Sequence, residues 1–153
     1  SITMITGGDV QFNANISGTG TLTIQQANNT QTMGVAGGAG TLNLATTDLN
    51  RMVDGWGNII LGRATSTVAS TINARTWTDN VTFRSGSGTI TVAGSQAMGG
   101  NALTLTTTNG AIALGGVTGT GTITATTGGG NMTVGGAVST TGAVNFNTGG
   151  GTF

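Results

Sequence analysis

The stretch ALTLTTTNGAIALGGVTGTGTITATTGGGNMTV, Ala102 to Val134, alternates apolar and small polar residues in short phrases broken by glycine. A period of two puts successive side chains on opposite faces of an extended chain, the pattern of a strand buried on one side. The phrases close on Leu105, Leu114, Ala125 and Val134, and the steps between them are unequal, the middle one being the longest. Taken two at a time the steps become regular, since Leu105 to Ala125 and Leu114 to Val134 are the same interval. Unequal half-steps with a constant total describe a chain that passes two or three walls before returning to the first, one level further on.

The interval persists outward from this stretch, to within a residue or two. It separates Val92 from Leu114, Ala125 from Phe146, Leu61 from Phe83, and Ile24 from Leu44. One phrase recurs as GTGTLTI (Gly18 to Ile24), GAGTLNL (Gly38 to Leu44), GSGTITV (Gly86 to Val92) and GTGTITA (Gly119 to Ala125), and Val10, Phe12, Ala14 and Ile16 alternate in the same way. The expected fold is therefore all-β: a parallel β-helix (β-solenoid) of about seven coils of roughly 20–22 residues, in the range of known repeat periods, forming a single domain over residues 1–153. An antiparallel sandwich also spaces strands by about 8–12 residues, but its hairpins do not require the alternating half-steps.

Composition narrows the function. Glycine accounts for 30 of 153 residues, 5% are charged, and proline, cysteine, histidine, tyrosine, lysine and glutamate are absent. Without histidine or cysteine the usual nucleophilic triads and thiolate metal sites are excluded, and no cofactor is expected. Four aspartates remain for carboxylate chemistry; Asp48 and Asp54 are six apart, which does not place them side by side on a helix, and Asp79 lies further along, so no enzyme is expected. The alternative is a carbohydrate-binding or carbohydrate-active β-helix. GGDVQFNAN (Gly7 to Asn15) is glycine-rich like a calcium-binding nonapeptide, but it holds only Asp9 where that motif needs repeated aspartates. A net charge of zero without a basic patch argues against nucleic acid. No apolar run approaches the ~18 residues of a membrane helix, and the missing aromatic girdles argue against a membrane barrel.

Between Leu44 and Ile59 the strand phrase gives way to TTDLNRMVDGWGN. A short helix near 47–54 is expected, capped by Thr47 or Asp48, with Leu49, Met52 and Val53 on one side and Gly55 at its end. Seven of the eight charged residues and both tryptophans fall between positions 48 and 84. Asp48, Arg51, Asp54, Trp56, Arg63, Arg75, Trp77, Asp79 and Arg84 therefore form a candidate interaction patch, since Trp and Arg concentrate binding energy at interfaces. The alternative is structural: the helix covers a flank of the stack, Trp56 packs beneath it, and the charges solvate a bulge.

Thr-x-Thr pairs at Thr21 and Thr23, Thr89 and Thr91, Thr104 and Thr106, and Thr122 and Thr124 point both hydroxyls outward. Stacked in register they would make a flat ladder like those of ice-binding β-solenoids; otherwise threonine is simply the β-branched residue of a solvated strand face.

The phrases GTGTLTI and GSGTITV, the Gly, Thr, Asn and Ala bias, and the run DLNRMVDGWGNIILGR (Asp48 to Arg63) resemble the repeat regions of filamentous-haemagglutinin-type bacterial exoproteins and adhesins. The resemblance covers nearly the whole chain, and Asp48 to Arg63 is its most distinctive part. It implies a right-handed β-helix, export, attachment at the bacterial cell surface, and contact with a biofilm matrix or host glycan; it supplies no catalytic residues. Neither a secretion-signal domain nor an outer-membrane anchor is recognisable. Both ends of the repeat look uncapped, so they are expected to continue into further coils or into a neighbouring subunit of a fibre.

Overall fold

A computed structural model describing residues 1–153 shows three parallel sheets wound from one chain into a β-solenoid of about seven turns. The first wall contains β1 (Ile2–Thr6), β2 (Thr21–Gln26), β5 (Asn58–Leu61), β8 (Val81–Ser85), β11 (Leu103–Thr107), β14 (Ile123–Thr127) and β17 (Val144–Asn147). The second holds β3 (Met33–Val35), β4 (Leu42–Leu44), β6 (Ser70–Ile72), β9 (Ile90–Val92), β12 (Ile112–Leu114) and β15 (Met132–Val134). The third is the shortest: β7 (Arg75–Thr76), β10 (Gln96–Gly99), β13 (Val117–Gly119) and β16 (Val138–Thr140). No helix is long and apolar enough to cross a membrane.

The half-steps of the sequence are the passage between walls. Leu105, Ala125 and Phe146 pair in register along the first wall, while Val92, Leu114 and Val134 pair along the second. Because stacked rungs repeat the same facing, inward side chains form continuous columns. One runs Ile2, Leu22, Ile59, Val81, Leu103, Ile123, Val144; its neighbour runs Met4, Ile24, Leu61, Phe83, Leu105, Ala125, Phe146. The central members of both columns are buried and belong to a single apolar core of 27 residues. Each fully buried Leu, Ile or Phe contributes roughly 1.5–3 kcal/mol relative to exposure, which is the main stabilisation available to so uncharged a chain.

At the corner after the first wall the interior turns polar. Ser85, Thr107 and Thr127 stand in one inward column, and all three are buried. Thr107 Oγ1 donates to the Gly110 carbonyl and Thr127 Oγ1 to the Gly130 carbonyl, satisfying the glycine turns that the corner buries. Thr107→Val keeps the shape and strands the Gly110 carbonyl. It is expected to lower unfolding free energy by about 1–2 kcal/mol, read from the urea midpoint; no change would mean that water replaces the hydroxyl.

Along the first wall every step between successive rungs is close to one regular coil except the step from Leu22 to Ile59, which is nearly twice as long. This long step corrects the sequence expectation in two ways. Ile24 and Leu44, a coil's length apart in sequence, lie on different walls rather than on successive rungs of one. The interruption also starts earlier than Leu44: Ala36 (φ 56°) and Gly37 (φ 83°) reverse the chain just after β3. Residues 36–41 then cross the outside of β3, and β4 lies parallel to β3 on the N-terminal side, with Met33 opposite Leu42 and Val35 opposite Leu44. This passage needs backbone against backbone. A Cβ on Gly34 would collide with the Gly38 carbonyl, and one on Gly40 with the Gly34 amide nitrogen.

The helix differs as well. The single helix, α1, spans Thr46–Leu49, with Ala45 at its start and no side-chain cap. Leu49 and Met52 are both buried, but Met52 lies beyond the helix in a parallel bridge with Ile16, and Val53 is exposed. One short turn suffices to lead the chain from the second wall toward the third, and pairing with Ile16 then makes extended backbone preferable to another helical turn. The alternating segment from Val10 to Ile16 likewise forms no regular strand. It follows the edge of the fold-back through single bonds, from Val10 N–H to the Asn43 carbonyl (3.2 Å) and from Ile16 N–H to the Arg51 carbonyl (2.8 Å).

Candidate functional site

The expected patch from position 48 to 84 does not form one surface. Trp77 is buried; its Nε1 donates to Gln96 Oε1 at 2.8 Å and its ring meets Phe83 edge-on, with centroids 5.9 Å apart. Arg75 is half-buried, with its guanidinium carbon 5.0 Å from the Trp77 ring centroid and Nη1 donating to Asn50 Oδ1 at 3.1 Å. Burial holds the Arg75 pKa below the ordinary arginine value, and burial does the same for Arg84.

Arg84 bridges coils, donating from Nε to the Gly62 carbonyl (3.0 Å) and from Nη2 to Gln25 Oε1 (2.9 Å). Arg63 ties its coil to the one below through Asn29 Oδ1 (2.7 Å) and the Gln26 carbonyl (3.2 Å). Asp79 is buried and accepts the Gly55 N–H at 2.9 Å, while Trp56 is buried over Gly18. Five of these residues, Trp56, Arg63, Arg75, Asp79 and Arg84, therefore hold the long step against its neighbouring coils, while Trp77 packs within the coils that follow it. Their charges and rings serve the fold because a solenoid of glycine and threonine leaves many turn carbonyls and amides to be bonded. Asp54 is exposed and makes no side-chain hydrogen bond.

Asp48 and Arg51 are different. The fold-back carries them beside the segment from Asp9 to Asn13, distant in sequence, and Asp48 Oδ1 accepts the Phe12 N–H at 2.9 Å. A cleft of about 330 Å³ opens between the two segments. Asp9, Gln11 and Asn13 line one side and Asn43, Asp48 and Arg51 the other, with Val10 and Phe12 adding apolar surface. The side chains of Asp9, Gln11, Asn13 and Arg51 make no hydrogen bond within the protein, and Asn43 Oδ1 is buried without a partner. The charge pattern of the sequence marks Asp48 and Arg51 but does not join Asp9, Gln11 and Asn13 to them, because only the fold-back brings the two segments together. The one available signal was the overlong gap between Leu22 and Ile59 in an otherwise regular repeat. No group of three or more metal-ligating residues exists.

The threonine pairs divide between walls. Thr104 and Thr106 stack in register on Thr124 and Thr126, but the rung before them carries Thr82 and Arg84 and the rung after carries Asn145 and Asn147. Thr89 and Thr91 lie at the second wall, where Thr91 pairs with Ala113 rather than with another threonine on the following rung. The paired ladder is thus two rungs deep.

Searches against protein-family models, curated proteins and solved structures return no match to this chain.

Proposed function

We propose that this chain is a structural β-solenoid of the bacterial cell surface or extracellular matrix, lengthened into a fibre or stalk by further coils stacked on its end rungs. One observation carries the reading. The inner column that is dry at Leu22 and Leu103 (each 0% exposed) ends in Ile2 and Val144, each 44% exposed. Ile5 and Phe153 bring the exposed large apolar residues on the first and last coils to four, and Val53 is the fifth in the chain. β1 and β17 each leave one strand edge unpaired, and an apolar column ending at an open parallel edge is a template for another coil. A surface-adhesive role adds the filamentous-haemagglutinin-type resemblance to this support.

The full chain is expected to form elongated particles that lengthen with concentration, seen by sedimentation velocity and negative-stain electron microscopy. Val144→Lys, which places a charge at the end of the column, should suppress them while leaving the circular dichroism of the coils intact. A protein that stays monomeric at every concentration overturns the proposal, as does a Val144→Lys variant that lengthens unchanged.

A further inference from the structure

We infer that the cleft between the Asp9 to Asn13 segment and the fold-back is a binding site for a neutral saccharide. The inference stands independently of coil stacking, because it uses side chains flanking the first coil rather than the open strand edges.

The lining decides the ligand class. A cation would face two carboxylates, Asp9 and Asp48, but one Asp48 oxygen is engaged by Phe12 N–H and the Arg51 guanidinium opposes positive charge. An anion would meet Arg51 together with both carboxylates. What the cleft does offer is an even mixture of acceptors and donors: carboxylate oxygens from Asp9 and Asp48, amides from Gln11 and Asn13, and the Arg51 guanidinium. Sugar hydroxyls both donate and accept, so one ring can engage carboxylate, amide and guanidinium together. Phe12, which is only partly buried, adds apolar surface for the C–H face of such a ring. The volume lies at the small end of the ~300–1,000 Å³ typical of ligand pockets, which suits a monosaccharide or a chain terminus better than a long polymer.

The polar groups are also unspent. Elsewhere the arginines Arg63, Arg75 and Arg84 are committed to carbonyl and amide oxygens of adjacent coils. Arg51 is not, and Gln11 and Asn13 are exposed across the cleft from it. Groups released from structural duty on both sides of one concavity are the arrangement a ligand needs.

The test titrates D-glucose, D-galactose, D-mannose and N-acetyl-D-glucosamine separately into the isotope-labelled full chain and follows the side-chain amide resonances of Gln11 and Asn13. Calcium chloride and sodium sulfate serve as the cation and anion probes. At least one sugar is expected to shift both amides saturably, with neither salt doing so. Arg51→Ala should weaken that sugar about tenfold, the loss expected for a hydrogen bond to a charged group, with an unchanged melting temperature because Arg51 is exposed. The proposal is overturned if none of the four sugars shifts the amides, if Arg51→Ala binds as well as the parent, or if a salt shifts the amides and the sugars do not.

Discussion

Gly34→Ala is expected to destabilise the protein by about 3 kcal/mol, the upper end of ordinary overpacking, whereas Gly8→Ala should change stability by less than about 0.5 kcal/mol. The contrast follows from what each added methyl would meet. At Gly8 nothing lies within 4 Å, but at Gly34 the new Cβ falls on the Gly38 carbonyl, part of the strap that crosses β3 to reach β4. Backbone cannot rotate aside as a side chain can, so either the strap lifts or β3 shifts. If the strap lifts, β4 loses its place and buried Leu42, Leu44 and Leu49 lose their cover. At about 2–4 °C per kcal/mol for a chain of this size, the melting temperature should fall by about 10 °C. Gly34→Ala melting with Gly8→Ala would show that the strap is loose enough to accept a methyl group against β3.

The second large effect is expected at Phe83. Phe83→Ala should cost about 4 kcal/mol, combining lost burial with the cavity left behind. The edge-on contact with Trp77 disappears as well, a further ~0.5–1.5 kcal/mol for such aromatic pairs. Phe146 occupies the same inner column three rungs on, yet it is only partly buried and rests against Phe153 with ring centroids 5.7 Å apart. Phe146→Ala should therefore cost about 1 kcal/mol, in keeping with a site that is already wet on one side. Chemical denaturation of the two variants checks the difference; equal losses would mean that the last coil is as tightly packed as the middle. Phe83 also lies between coils, so amide exchange should accelerate in β5 and β11, the neighbours that stack on β8.

How legible each region is in sequence depends on which force shapes it. From Val81 onward the first and second walls can be read directly, because each strand buries one face and glycine marks each corner. The third wall cannot: Arg75–Thr76 and Val117–Gly119 are too short to show a period, and Arg75 occupies the position that Gln96 and Val117 take on the rungs above. The fold-back is hidden for a different reason. GAGTLNL matches the repeated phrase and does form a strand, yet glycine at positions 34, 38 and 40 lets the chain double back before it. The same residues that signal a corner elsewhere here permit backbone crossing, and composition alone does not separate the two uses. The cleft inherits this opacity, since Asp9 and Arg51 become neighbours only through that crossing.

The fold-back has a mechanical consequence. Between the first and third coils the first wall advances two rungs, β1 to β2 to β5, while the second wall fits in the Val10 backbone, β4, β3 and β6, an advance of three. At ~4.8 Å per rung one side of the stack is a layer longer than the other. This is the geometry of an edge dislocation in a layered crystal: an extra half-plane enters from one side, and the layers beyond it tilt. Such an insertion would seat the first coil as a wedge on the coils that follow, and a fibre assembled from such units would bend in one fixed direction at every repeat.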